Sequence, residues 1–229
     1  VNFLLHRHLA ERDLGSPVAG VGAMLPDLWR MADRRVRPRS GVGAAGEVLA
    51  GVDHHLEADR WFHRHRVFRD GRRATADRFR AARLRAPKML LLAHAAWELC
   101  LDGALVRRRG LDDTLAALRA GLADAGPAAL RDAADRHHFD HHRRSPVARA
   151  DFDRRLRHLL AELADGGWIA GYRHGAGLAA RLGGVRRRLR LPPMDAADNR
   201  RLAGACDELL AVAEERLGEL LAAPRSAPE

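Results

Sequence analysis

The sequence predicts an all-α protein, a single-domain helical bundle over residues 1–222 followed by a disordered tail, residues 223–229. Apolar residues recur at three- and four-residue steps, most clearly Leu202, Cys206, Leu209, Ala213, Leu217 and Leu220. That is the period of a helix with one buried face. No stretch alternates apolar and polar residues over the length of a strand. Gly, Pro and capping residues punctuate the chain at helix-length intervals, giving roughly seven to nine helices, and no linker or internal repeat divides it. A chain of 229 residues is long enough to bury a sizeable core in one domain.

Taken in order, residues 2–13 read as a short helix, or a turn leading into one, with Phe3, Leu4, Leu5 and Leu9 apolar and His6 and His8 polar. The Gly- and Pro-rich stretch DLGSPVAGVGAMLPDLWRMADRRVRPRSG reads as loop and short helix, with Asp27 at a helix start just after Pro26. Gly41, Gly43 and Gly46 spell a dinucleotide-type G-x-G-x-x-G, but RRVRPRS stands before it where a buried strand should be, so they belong to a loop. Residues 44–67 form a helix, which RDGRR at 69–73 interrupts before a basic helix runs on to Pro87.

Pro87–Arg109 is the most apolar segment, and Leu90, Leu91, Leu92, Trp97, Leu99, Leu101 and Leu105 call for burial. Gly110 ends that helix, and Asp112 or Asp113 caps the next, through Leu122. Beyond Gly126 and Pro127, a helix carrying Asp135, His137, His138, Asp140, His141 and His142 reads as a solvated face. Ser145 and Pro146 open a helix that ends near Gly166 and Gly167. Trp168–Leu191 is a half-broken helical stretch stopped by Pro192 and Pro193, and Asp195 starts the last helix.

The net charge is +10, and every basic residue among the 40 except Lys88 is arginine. The excess over 30 acids favours an acidic partner: a phosphate compound, an acidic protein or nucleic acid. Few aromatics, no zinc-finger pattern and no helix-turn-helix spacing leave nucleic acid the weaker of these. Cys100 and Cys206 form no C-x-x-C and read as buried free thiols. Lys88, His94, Glu98 and Asp102 interrupt the best apolar run, so no membrane span is expected. With no signal-peptide pattern, a cytoplasmic protein is expected, and Val1 reads as a translated GTG start.

Two rows of ionisable residues stand out. His94, Glu98 and Asp102 lie at i, i+4 and i+8, as do His55, Asp59 and His63, with Asp53 and His54 beside them. On a helix such spacing puts each set on one side. One such four-residue pair alone suits a solvated surface row or ordinary salt bridges better than a metal. Two rows together, with His6 and His8 near the start, favour a divalent metal bound by imidazole nitrogen and carboxylate oxygen.

The opening NFLLHRHLA resembles the N-F-L-A-H-x-H-L-A start of bacterial acyl carrier protein phosphodiesterases, all-helical proteins related to HD-domain metal phosphohydrolases. GAMLPDL is similar to that family's G-x-x-x-x-D-F segment with Asp27 at the acid, and AGVDHHLEADRWFHRH to its A-G-I-x-x-H-R-x-I-D-x-x-T-D segment with His55 and Asp59 matched. GWIAGYRHGAGLAARLGGVRRR resembles its W-L-x-x-Y stretch, through Trp168 and Tyr172, leading to an arginine. The chain departs from the pattern at Ala93, where the family has aspartate before His94, at His63 in place of an acid, and at Leu56 in place of an arginine.

The resemblance implies a phosphodiesterase releasing 4′-phosphopantetheine from a carrier protein. It implies a divalent ion (Mn²⁺, Fe²⁺ or Zn²⁺) among His6, Asp27, His55, Asp59, His94 and Glu98, and catalytic roles for Asp27, Asp59 and Glu98. Arg187 and Arg188, with Tyr172, would meet the substrate phosphate, although a tyrosine beside Trp168 also suits packing. Hydrolysis of nucleotide phosphoesters and non-enzymatic binding of an acidic partner are the alternatives.

Overall fold

The computed structural model describes residues 2–39, 46–84, 87–139 and 146–223. Its helices are α1 (Phe3–Leu14), α2 (Pro17–Ala32), α3 (Glu47–Arg64), α4 (Arg66–Ala81), α5 (Met89–Arg109), α6 (Leu111–His137), α7 (Pro146–Asp165), α8 (Gly167–Gly171), α9 (Gly175–Arg188) and α10 (Ala196–Ala222). The described residues contain no strand, so the protein is all α. They fall into two compact units, neither continuous in sequence: Phe3–Arg60 with Asp112–Gly166, and Val1–Asn2 with Trp61–Leu111 and Gly167–Glu229. We call them the α2 unit and the α5 unit. Gly41, Gly43, Asp140, His141, His142, Ser145 and the tail from residue 224 lie outside the described residues.

In the α2 unit, the Ser16 hydroxyl accepts from the Ala19 N–H and Pro17 occupies the first turn of α2. The helix then continues straight through Pro26, so Asp27 sits within α2 rather than at a helix start. An interior proline costs about 3 kcal/mol. Burial of Met24, Leu25, Leu28 and Trp29, each fully enclosed, offsets this at about 1.5–3 kcal/mol per side chain. The breaker is therefore overridden by packing.

Helices α2 and α3 approach each other at glycines. A Cβ on Gly22 would lie 2.1 Å from the Val48 carbonyl oxygen, and one on Gly51 would lie 2.0 Å from that of Ala19. Helix α6 turns at Gly126, whose φ of 69° favours glycine, and Asp112 and Asp113 occupy its first turn instead of capping it. Of the described residues of the expected solvated face at its end, Asp135 is half-buried. His137 and His138 are both buried, and the His137 ring lies 5.8 Å from that of Trp29.

In the α5 unit, α4, α9 and α10 pack on α5. Leu92, Trp97, Leu99, Leu101 and Leu105 are buried as expected, but Leu90 and Leu91, in the first turn, are exposed. RDGRR does not interrupt α4: Gly71 has no room for a side chain because the Trp97 indole lies against it, while Val67, Phe68 and Phe79 anchor the helix on either side. By length and composition α5 could cross a membrane, contrary to the sequence expectation, but 78 % of its most apolar window is buried within the protein. Gly110 closes α5 by donating its N–H to the Val106 carbonyl. Asp195 caps α10 by accepting from the Asp198 N–H at 2.6 Å, and the Leu202–Leu220 stripe is buried throughout. Cys100 and Cys206 are buried free thiols, as read from the sequence.

Candidate metal centres

Of the six residues read from the sequence as one ligand set, His6, Asp27, His55 and Asp59 lie in the α2 unit and His94 and Glu98 in the α5 unit. The structure assembles two groups of three, one in each unit. In the α2 unit, His6 of α1 meets His55 and Asp59 of α3, with the three ligand atoms within 4.8 Å of one another. Like Phe3, Leu4, Leu5 and Leu9 of the same helix, His6 is buried. The His6 and His55 rings lie 4.0 Å apart, and His6 Nε2 is 3.7 Å from Asp59 Oδ1. Both histidines are buried, and the aspartate is partly open to solvent.

His55 is held in a defined tautomer. Its Nδ1 lies 2.7 Å from the Ala23 carbonyl oxygen. A carbonyl can only accept, so Nδ1 carries the proton and, in the neutral ring, Nε2 keeps its lone pair. Burial, and then the neighbouring His6, push the His55 pKa down to about 3, against the opposing pull of Asp27 and Asp59. The ring is neutral at physiological pH and presents Nε2 as a ligand, the arrangement that fixes many metal-binding histidines. Asp27 lies close enough to act on His55 by charge but is not one of the three. His54 turns away to Asp13, at 3.1 Å.

In the α5 unit, His63 from the last turn of α3 joins His94 and Glu98 of α5, again with ligand atoms within 4.8 Å. His94 Nε2 is 2.9 Å and His63 Nε2 3.3 Å from the same oxygen, Glu98 Oε1. Burial opposes ionisation of Glu98, but the hydrogen bonds from His63 and His94 help to hold its carboxyl well below the usual range. His63 was recognised in its helical row but left out of the expected ligand set.

Asp102, one turn beyond Glu98, belongs elsewhere. It is fully buried and, after burial itself, is the main charge pushing the Tyr172 phenol pKa upward. Tyr172 is enclosed in the core of the α5 unit. Arg187 is exposed at the end of α9, Arg188 is half-buried with its charge acting on Tyr172, and the neighbouring Arg186 donates to the Pro192 carbonyl at 2.6 Å.

Fold and geometry together define an all-α protein whose described residues include two groups of two histidines and one carboxylate. The chain matches no protein-family model, no curated protein and no solved structure.

Proposed function

We propose that this protein is a metal-dependent phosphodiester hydrolase with an HD-like fold, its divalent ion (Mn²⁺, Fe²⁺ or Zn²⁺) held by His6, His55 and Asp59. The observation that carries the reading is the hydrogen bond from His55 Nδ1–H to the Ala23 carbonyl, which leaves a neutral imidazole offering Nε2 beside a second imidazole and a carboxylate. Two nitrogens and one oxygen suit any of these ions and leave coordination positions open. When bound, the ion supplies Lewis acidity toward water and toward a phosphoryl oxygen.

The residues around it have distinct tasks. His6 and His55 are too deeply buried to meet solvent and serve as fixed ligands. Asp59 is the partly open member and the charge of Asp27 reaches His55, and these carboxylates would take up the proton. The substrate class follows from the resemblance to acyl carrier protein phosphodiesterases, and the net charge of +10 suits an acidic carrier protein bearing a phosphodiester.

The test uses metal-stripped protein reloaded with Mn²⁺, Fe²⁺ or Zn²⁺. Turnover is measured on bis(p-nitrophenyl) phosphate, on a phosphopantetheinylated carrier protein and on a cyclic nucleotide. At least one ion should restore hydrolysis, with the carrier protein the best substrate, and His55→Ala should lower kcat about a hundredfold or more. No turnover with any ion, or turnover indifferent to His55→Ala, would refute the proposal. Faster hydrolysis of the nucleotide would reassign the substrate.

A further inference from the structure

The three residues His63, His94 and Glu98 sit in the α5 unit and have no part in the chemistry proposed above. We infer that they form a second metal site, able to hold a first-row divalent transition ion in its own right. The inference rests on where their atoms lie. Two imidazole nitrogens from two different helices converge on a single carboxylate oxygen, at 2.9 and 3.3 Å. For an ion with bonds of about 2.0–2.1 Å, neighbouring ligand atoms stand about 2.9 Å apart in octahedral and about 3.3 Å apart in tetrahedral coordination. Both contacts therefore already have the spacing of ligands around an ion. The corresponding His6–Asp59 separation in the α2 unit, 3.7 Å, would have to close by several tenths of an ångström.

The environment fits the same reading. The Glu98 side chain is 3 % exposed, whereas those of His63 and His94 are 33 % and 31 % exposed. The anion thus forms the floor of the cluster and the imidazoles its rim, so an ion has a route from solvent. Phe68 of α4 walls the cluster, its ring 4.6 Å from that of His63 and 4.9 Å, edge-on, from that of His94. With Phe62 packed 4.8 Å from Phe68, the two imidazoles are backed by an aromatic surface. Phe68 limits the directions each ring can take, and such pre-orientation lowers the cost of assembling a site.

The donor chemistry narrows the occupant. Two nitrogens and one carboxylate oxygen favour Zn²⁺, Fe²⁺, Co²⁺ or Mn²⁺ over Ca²⁺ and Mg²⁺, which prefer sets made wholly of oxygen. Three protein ligands leave at least one position for water or a substrate atom. Each imidazole must move the N–H it now donates to Glu98 onto its other ring nitrogen, so that the Nε2 lone pair can turn to the ion.

The test titrates Co²⁺ into metal-stripped full-length protein and follows bound metal and the visible absorption of the ion. The His55→Ala background removes the α2-unit group, so hydrolase activity and this site are judged separately. One equivalent of Co²⁺ should still bind there, and adding His63→Ala should weaken that binding at least tenfold. If His55→Ala binds no Co²⁺, or if the double variant binds it as well as His55→Ala, the second site does not exist. A further measurement needs no variant. Diethyl pyrocarbonate should modify His63 and His94 in the metal-free unaltered protein, and saturating Zn²⁺ should protect both; equal modification with and without Zn²⁺ overturns the inference.

Discussion

Substituting Gly51 by alanine tests how the α2-unit site is positioned. A Cβ at this position would lie 2.0 Å from the backbone oxygen of Ala19, where contacts under 3.0 Å are essentially never tolerated. No side-chain rotation relieves a clash with backbone, so α2 and α3 must separate by at least 1.0 Å, the difference between those distances. One turn further along both helices, His55 Nδ1 and the Ala23 oxygen are 2.7 Å apart, and the same opening takes them beyond hydrogen-bonding range. Overpacking costs about 1–3 kcal/mol and the lost buried hydrogen bond about 1 kcal/mol more, against a gain of about 1 kcal/mol in helix propensity. Gly51→Ala should therefore destabilise the protein by about 1–3 kcal/mol in urea unfolding and weaken metal binding by the α2-unit group. Gly204→Ala is the control: it is exposed within α10, a Cβ there meets nothing within 4 Å, and it should stabilise by up to about 1 kcal/mol. If Gly51→Ala proves as stable as the unaltered protein, the helices are not held at this contact.

Two further outcomes follow from the same structure. Ser16→Ala removes the acceptor for the Ala19 N–H at the start of α2, in a buried setting, and should cost about 1 kcal/mol; an unchanged urea midpoint would show that the cap contributes nothing. Burial raises the Cys206 thiol to about 12 and the Cys100 thiol well above its usual value, so neither should react with a disulfide reagent at pH 8 until the protein is unfolded, when both should. Reaction of either thiol in the native protein at the rate of a free thiol would contradict their placement.

The helices were legible because burial on one face imposes a period that survives in the residue order, as the Leu202–Leu220 stripe shows. The errors fell on local breakers. Pro26 and Gly71 signal interruption by their own chemistry, but each is held in a helix by contacts from other helices, Pro26 by the burial around Trp29 and Gly71 by the ring of Trp97. The site shows the same division. The pairs His55–Asp59 and His94–Glu98 were readable because four-residue spacing is a local property. That His6 meets the first pair and His63 the second depends on how α1 lies against α3 and how α3 ends beside α5, which no spacing encodes. His137 and His138 differ from the sequence reading for a related reason: a helix that turns at Gly126 re-aims everything beyond it, setting His137 beside Trp29 and burying His138 as well.

The placement of Glu98 argues against a purely structural role for its cluster. Taking a carboxylate out of water costs several kcal/mol, and attraction to nearby partners generally does little more than offset that cost. A leucine at position 98, among the buried apolar residues of α5, would fill the space without any such penalty, and well-packed apolar replacements of buried ion pairs are often neutral or stabilising. The two histidines that satisfy Glu98 are themselves a third exposed, so the cluster neither seals the core nor saves an otherwise unavoidable charge. Three polar groups so placed, with two of their donor contacts at 2.9 and 3.3 Å and one side open to solvent, are what the proposed second metal site would use.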